Sequence, residues 1–63
     1  MTQKELLYYE DAVMHEDNLL KICEESLNNL DDDNLKDFMR NEIEIHRSLK
    51  EELLNKLGEE SNE

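Results

Sequence analysis

The fold is decided by the stretch from Leu6 to Leu30, LLYYEDAVMHEDNLLKICEESLNNL. Within it, one row of positions recurs with alternating spacings of three and four residues, the repeat of a helix face that packs against other helices. Every member except the glutamate is apolar: Leu6, Tyr9, Val13, Glu16, Leu20, Cys23, Leu27 and Leu30. Because a disordered acidic segment would not keep this spacing, we predict one long amphipathic helix.

A second row of positions runs beside the first and widens the apolar stripe. Its members are Tyr8, Ala12, His15, Leu19, Ile22 and Ser26. One neighbouring helix covers little more than one row of side chains, so a stripe of this width predicts contact with more than one helix.

The ends of the first helix are also readable in the sequence. Thr2 and Glu5 have the spacing of a capping box, in which each side chain accepts a hydrogen bond from the backbone N–H of the other residue. Since this cap follows directly on Met1, we expect the numbering to start at the natural N-terminus. Residues 28–29 are asparagines, which tolerate a left-handed backbone, so the helix is predicted over residues 3–29.

A second helix is predicted over residues 33–57, with Asp32 as its N-cap and Asp31 as the alternative. Its apolar stripe is again wide: Leu35, Phe38/Met39, Glu42, Ile45/His46, Leu49, Leu53 and Leu57. Charged pairs four residues apart are expected on outer faces: Asp17/Lys21, Arg47/Glu51 and Glu52/Lys56. Gly58 is expected to end the helix, which leaves residues 1–58 as a helical hairpin and residues 59–63 as a disordered acidic tail.

The connection between the two helices, about two to four residues long, forces them antiparallel. A chain of 63 residues with a single cysteine rarely stabilises itself with one helix–helix interface. We therefore predict an all-α fold in which two hairpins form a homodimer, a ferritin-like four-helix bundle. A coiled-coil trimer and a hairpin docked on another protein are the alternatives.

Composition excludes several classes of protein. Seven Lys and Arg against eighteen Asp and Glu give a net charge of −11, which opposes binding to nucleic acid and to anionic membrane surfaces. No apolar run is long enough for membrane insertion, and the polar N-terminus does not resemble a signal peptide. We expect a cytoplasmic protein.

Polar residues on the apolar rows form the candidate site. Glu16 is the polar member of the first row, and Glu42 and His46 lie one turn apart on the second helix. With a turn at residues 30–31, Glu16 would face Ile45 and His15 would face His46, all near the middle of the hairpin.

A dimer would double Glu16, Glu42 and His46 into four carboxylates and two imidazoles, the ligand inventory of ferritin-like di-iron or di-manganese bundles. His15 is a further candidate ligand, and zinc is an alternative to iron or manganese. Those bundles space Glu and His three residues apart, whereas here Ile43 occupies that position. Two other interpretations remain open: a polar layer that sets the helix register, or solvated edge positions.

The segment Lys4–Glu16, KELLYYEDAVMHE, resembles the opening of small spore-coat proteins of the coat F type, with Lys-Glu-Leu-Leu-Tyr-x-Glu-Asp-Ala-x-x-His-Glu. Leu35-Lys36 and His46 stand at further corresponding places. The resemblance implies a ferritin-like helical bundle, sporulation in Firmicutes and no known catalysis. The chain departs from the pattern at Asp33, where the family often has Pro, and at Glu42, so the resemblance does not itself imply a di-metal site.

Two function classes follow. The first is a non-enzymatic structural or interaction protein, a dimeric bundle with a protein partner in coat assembly and a location in the spore coat. The second is a metal-binding mini-bundle, with Glu16, Glu42 and His46 as ligands and redox activity as its enzymatic form. A weaker third hypothesis is an acidic inhibitor that docks on a basic partner.

Overall fold

The computed structural model consists of two α-helices, α1 (Gln3–Asn29) and α2 (Asp33–Ser61), joined by residues 30–32. The structure describes the backbone of residues 1–61 and the side chains of residues 1–59. The helices pack antiparallel as a hairpin whose Cα atoms extend over 47 × 15 × 11 Å. The prediction of an all-α helical hairpin is confirmed.

The start of α1 is held by the predicted capping box. The Thr2 N–H donates to Glu5 Oε1 and the Glu5 N–H donates to Thr2 Oγ1, both at 3.1 Å. The Thr2 hydroxyl and the Thr2 backbone N–H both favour the ionised carboxylate of Glu5 and lower its pKa from the ordinary value. Two N–H groups at the start of the helix are thereby satisfied without tertiary contacts.

The end of α1 falls at the predicted residue but by a different mechanism. No residue in the described part of the chain has a positive φ, so the left-handed ending that we predicted from Asn28 and Asn29 is wrong. Leu30 instead adopts an extended conformation (φ −87°, ψ 137°). The Leu30 N–H donates to the Leu27 carbonyl at 3.4 Å, which satisfies one of the last free carbonyls of the helix, and the Asn29 side-chain amide donates to the Glu25 carbonyl at 2.9 Å.

Asp32 caps α2 as predicted, since its carboxylate accepts a hydrogen bond from the Leu35 N–H at 3.0 Å. The predicted end of α2 at residue 57 is wrong, because the helix continues through Gly58 to Ser61. Gly58 keeps a negative φ, so it acts as an ordinary helical residue and not as a left-handed stop. Of the predicted acidic tail, residues 59–61 are helical, and residues 62–63 lie outside the described residues.

The contact between the helices runs along one row of each. Leu20 and Ile43 are the side chains that the described part of the chain buries, at 8% and 7% exposure. The α2 row consists of buried and half-buried side chains: Met39, Ile43, His46, Lys50, Leu53 and Leu57. Ile43 was missing from the predicted apolar stripe of α2. Several apolar residues, among them Phe38 and Ile45, lie to one side of the contact row, and they shifted the centre of the predicted stripe away from Ile43.

Interhelical ion pairs occupy one face of the hairpin, which we call the ion-pair face. Lys50 Nζ lies 2.5 Å from Asp17 Oδ1, and Arg47 Nη2 donates to Glu24 Oε1 at 3.1 Å. The expected pairs of Asp17 and Arg47 within their own helices are therefore wrong. Both residues lie beside the contact row, where a charge on the other helix is within reach.

The opposite face, which we call the apolar face, carries exposed apolar side chains from both helices: Leu19, Ile22, Leu35, Phe38, Ile45 and Leu49. These residues lie on the side of each contact row away from Asp17 and Lys50. Ile22 is 59% exposed and Phe38 is 61% exposed. Neither helix, within residues 1–61, has an apolar segment that could cross a membrane.

Candidate functional site

Three of the four predicted site residues come together halfway along the hairpin. His46 of α2 donates through Nδ1 to Glu16 Oε2 of α1 at 2.6 Å. Its other ring nitrogen, Nε2, lies 3.8 Å from Glu42 Oε2, one turn earlier on the same helix. His15, the further candidate, is exposed.

The Glu16–His46 pair is shielded from solvent more than the other ion pairs among the described residues. The side chains of Glu16, His46 and Glu42 are 16%, 24% and 34% exposed. By comparison, the Glu24 and Arg47 side chains of the ion-pair face are 53% and 57% exposed. Because water screens the Glu16–His46 hydrogen bond less, it contributes more to stability than an exposed pair of the same geometry.

The helix register differs by one residue from the predicted register. We expected Glu16 opposite Ile45 and His15 opposite His46, but Glu16 contacts His46 directly. The reason is the connection, which contains residues 30–32 and is therefore centred on Asp31 and not on the bond between residues 30 and 31. The one-residue shift turns His15 out of the contact and brings the carboxylate of Glu16 onto the imidazole.

The site opens towards the apolar face. A shallow groove there is lined by Tyr9, Glu16, Leu49, Glu52, Leu53 and Lys56. Glu16 thus belongs both to the helix–helix contact and to the floor of this groove. Anything that covers the apolar face also covers this carboxylate, which must then keep its hydrogen bond to His46 to avoid the cost of an unpaired buried charge.

The geometry of the site is that of a hydrogen bond across the helices. A metal ion bonded to both atoms at 2.0–2.2 Å in tetrahedral geometry would hold a nitrogen and an oxygen about 3.4 Å apart. The Glu16–His46 distance of 2.6 Å is shorter and fits a charge-assisted hydrogen bond. Among the side chains of residues 1–59, no group of three or more His, Cys, Asp or Glu is arranged to hold a metal ion.

Two further residues with reactive side chains lie outside the site. Cys23 is a half-buried free thiol on the α1 contact row, where it packs as a small apolar residue. Tyr8 is 63% exposed, and the Lys4 ammonium lies 5.9 Å from the centre of its ring.

The ion pairs between the helices were missed by our prediction. The sequence signal for them was the charge complementarity of Asp17 and Glu24 with Lys50 and Arg47, which our prediction did not use.

The chain was compared with protein-family models, with curated proteins and with solved structures, and none of them matches it significantly. The resemblance of residues 4–16 to spore-coat proteins stays a prediction.

Proposed function

We propose that this chain is a non-enzymatic structural or interaction protein, whose apolar face packs against helices of a protein assembly. The observation that carries this proposal is the exposure of large apolar side chains along one face, with Ile22 at 59% and Phe38 at 61%. An isolated soluble protein rarely leaves such a row uncovered, and a contiguous apolar patch is the ordinary mark of a protein interface.

The site supports a role in assembly. Its most shielded carboxylate, Glu16, accepts a hydrogen bond from His46 across the two helices. A polar pair of this kind fixes one relative position of two helices, because a slip along the row would leave both groups unpaired.

The resemblance of residues 4–16 to coat F proteins points to the spore coat as the assembly. On this proposal the chain is made in the cytoplasm of a sporulating cell and joins the coat through its apolar face. A charged residue in the middle of that face would block the attachment, whereas the same charge on the outer side of α1 would not.

The test is fractionation of spores from a Firmicute that expresses the epitope-tagged chain. The variant Ile22→Glu places a charge on the apolar face, and Met14→Glu places it on the outer side of α1, where the parent residue is 61% exposed. We expect parent and Met14→Glu in the coat fraction and Ile22→Glu in the soluble fraction. Equal amounts of all three in the soluble fraction would refute the proposal.

A metal-binding function is the second candidate, because Glu16, Glu42 and His46 do converge at one level of the hairpin. Metal binding would require the Glu16–His46 hydrogen bond to open, so that both atoms could coordinate the ion at their own distances. Elemental analysis of protein purified without chelator or affinity tag tests it. One or two equivalents of iron, manganese or zinc per dimer, lost in Glu16→Ala, would favour this function.

A further inference from the structure

We propose that the partner on the apolar face is a second copy of this chain, turned end for end, so that the two connections lie at opposite ends of a four-helix bundle. This inference rests on the proposed function, since it names what covers the same face. It adds the identity of one partner and its orientation.

The exposed area of the hairpin matches what a dimer of standard size buries. The chain exposes 5081 Å², whereas a compact monomer of its mass, 7.6 kDa, exposes about 4,300 Å² by the size scaling of globular proteins. The excess is about 800 Å², the area that each partner contributes to an interface of standard size. One further hairpin laid along the length of the apolar face covers an area of this size.

Charge selects the end-for-end orientation. Residues 31–33 are all aspartates, and each chain carries a net charge of −11. With both connections at one end, these aspartates would lie about one helix spacing, 8–10 Å, from those of the partner. Turning one hairpin end for end separates them by nearly the full 47 Å of the molecule.

The position of the Glu16–His46 pair is compatible with a two-fold axis halfway along the hairpin. An axis across the middle of the apolar face brings the two Glu16–His46 pairs to the same level, because that pair already lies at the midpoint of both helices. Each Glu16 carboxylate arrives with its own hydrogen-bond partner, so covering it leaves this charge paired. The pair is therefore the reason why the interface tolerates a glutamate at its centre.

Sedimentation equilibrium of the purified full chain tests the partner. We expect a mass near twice the 7.6 kDa of the monomer for the parent and for Met14→Glu, and loss of the dimer for Ile22→Glu. Phe38→Glu, on the other helix of the same face, is expected to act like Ile22→Glu. Circular dichroism of the same samples records folding, and an unfolded or a folded monomer of either face variant supports the proposal. A monomeric parent, or a dimer that survives both face variants, overturns it.

Spin-label distances test the orientation. In a Cys23→Ser background, a nitroxide at Asn34→Cys lies near the connection. End-for-end packing places the two labels about 35 Å apart or more, from the rise along α2. A dimer with both connections at one end gives about 20 Å, from adjacent helices, and would overturn the orientation. A label at Asn18→Cys, at mid-length, gives a short distance in either case and serves as the control.

The two proposals fail separately. A parent that is monomeric in the centrifuge but enters the coat fraction through Ile22 would refute the second copy and leave the assembly role standing. A parent that is a dimer in the centrifuge but never enters the coat fraction would refute the assembly role and leave the second copy standing.

Discussion

Replacing His46 by Leu removes the hydrogen-bond partner of Glu16 while keeping a side chain of similar volume between the helices. Glu16 is only 16% exposed and accepts from His46 at 2.6 Å. A hydrogen bond to a charged group contributes about 1.5–3 kcal/mol, above the value for an exposed ion pair and below that for a fully buried one. We expect His46→Leu to lower the free energy of unfolding by about 2 kcal/mol. Since the unfolding entropy of a chain this small is low, the melting temperature falls by about 15 °C.

A double-mutant cycle with Glu16→Leu, His46→Leu and the double variant isolates this interaction. Thermal and urea unfolding followed by circular dichroism give the four free energies. The double variant should regain most of the lost stability, because it leaves no carboxylate unpaired. The matched control is the Glu24–Arg47 pair, which also joins the helices but is 53% and 57% exposed. Its coupling energy should stay below about 1 kcal/mol.

If the coupling energy between Glu16 and His46 were no larger than the control value, these residues would be solvated edge positions. The assignment of a polar layer that sets the register would then be wrong.

Further perturbations address the core and the helix ends. Leu20→Ala and Ile43→Ala should each lower the free energy of unfolding by about 2–5 kcal/mol, and urea denaturation that left either variant as stable as the parent would place the contact row elsewhere. Gly58→Ala should raise stability by about 0.5–1 kcal/mol, as for an ordinary helical glycine. A Cβ there meets nothing within 4 Å, and a loss in the melting assay would instead indicate a left-handed cap. Because the folded-state pKa of Glu5 is lowered by Thr2, its contribution is present above the ordinary carboxyl pKa and is lost as the pH falls through the lowered value. Thr2→Ala removes the hydrogen bond from the Thr2 hydroxyl. When melting temperature is measured against pH, this variant should therefore lose less stability at acid pH than the parent does.

The first helix could be predicted almost fully from the sequence, because its signals agree with each other. Thr2 and Glu5 define the start, and a single polar residue, Glu16, interrupts the apolar row. Each local preference pointed to the same helix face, which is the condition under which a pattern determines a structure. The end was correct in position only, because an extended Leu30 can terminate the helix without the left-handed geometry that asparagines permit.

The second helix was less predictable, because its apolar residues cover two adjacent faces and periodicity alone does not say which one meets α1. Phe38 and Ile45 are as apolar as Met39 and Ile43, yet the first two are exposed and Ile43 is buried. The face is chosen partly by Lys50, whose aliphatic stem lies in the contact row while its ammonium reaches Asp17. A sequence pattern that scores lysine as polar places this position outside the core.

Concentration dependence of unfolding connects the site with the apolar face. If the folded state is a dimer and the unfolded state is a single chain, a tenfold increase in protein concentration stabilises the dimer by about 1.4 kcal/mol. Divided by the unfolding entropy of two chains, this free energy corresponds to a rise in melting temperature of about 5 °C. The parent and the Glu16→Leu/His46→Leu double variant should both show this rise, because both keep the apolar face. Ile22→Glu should show none. A melting temperature of the parent that is constant over a hundredfold range of concentration would mean that the hairpin folds alone, and that Glu16 and His46 act only between its own two helices.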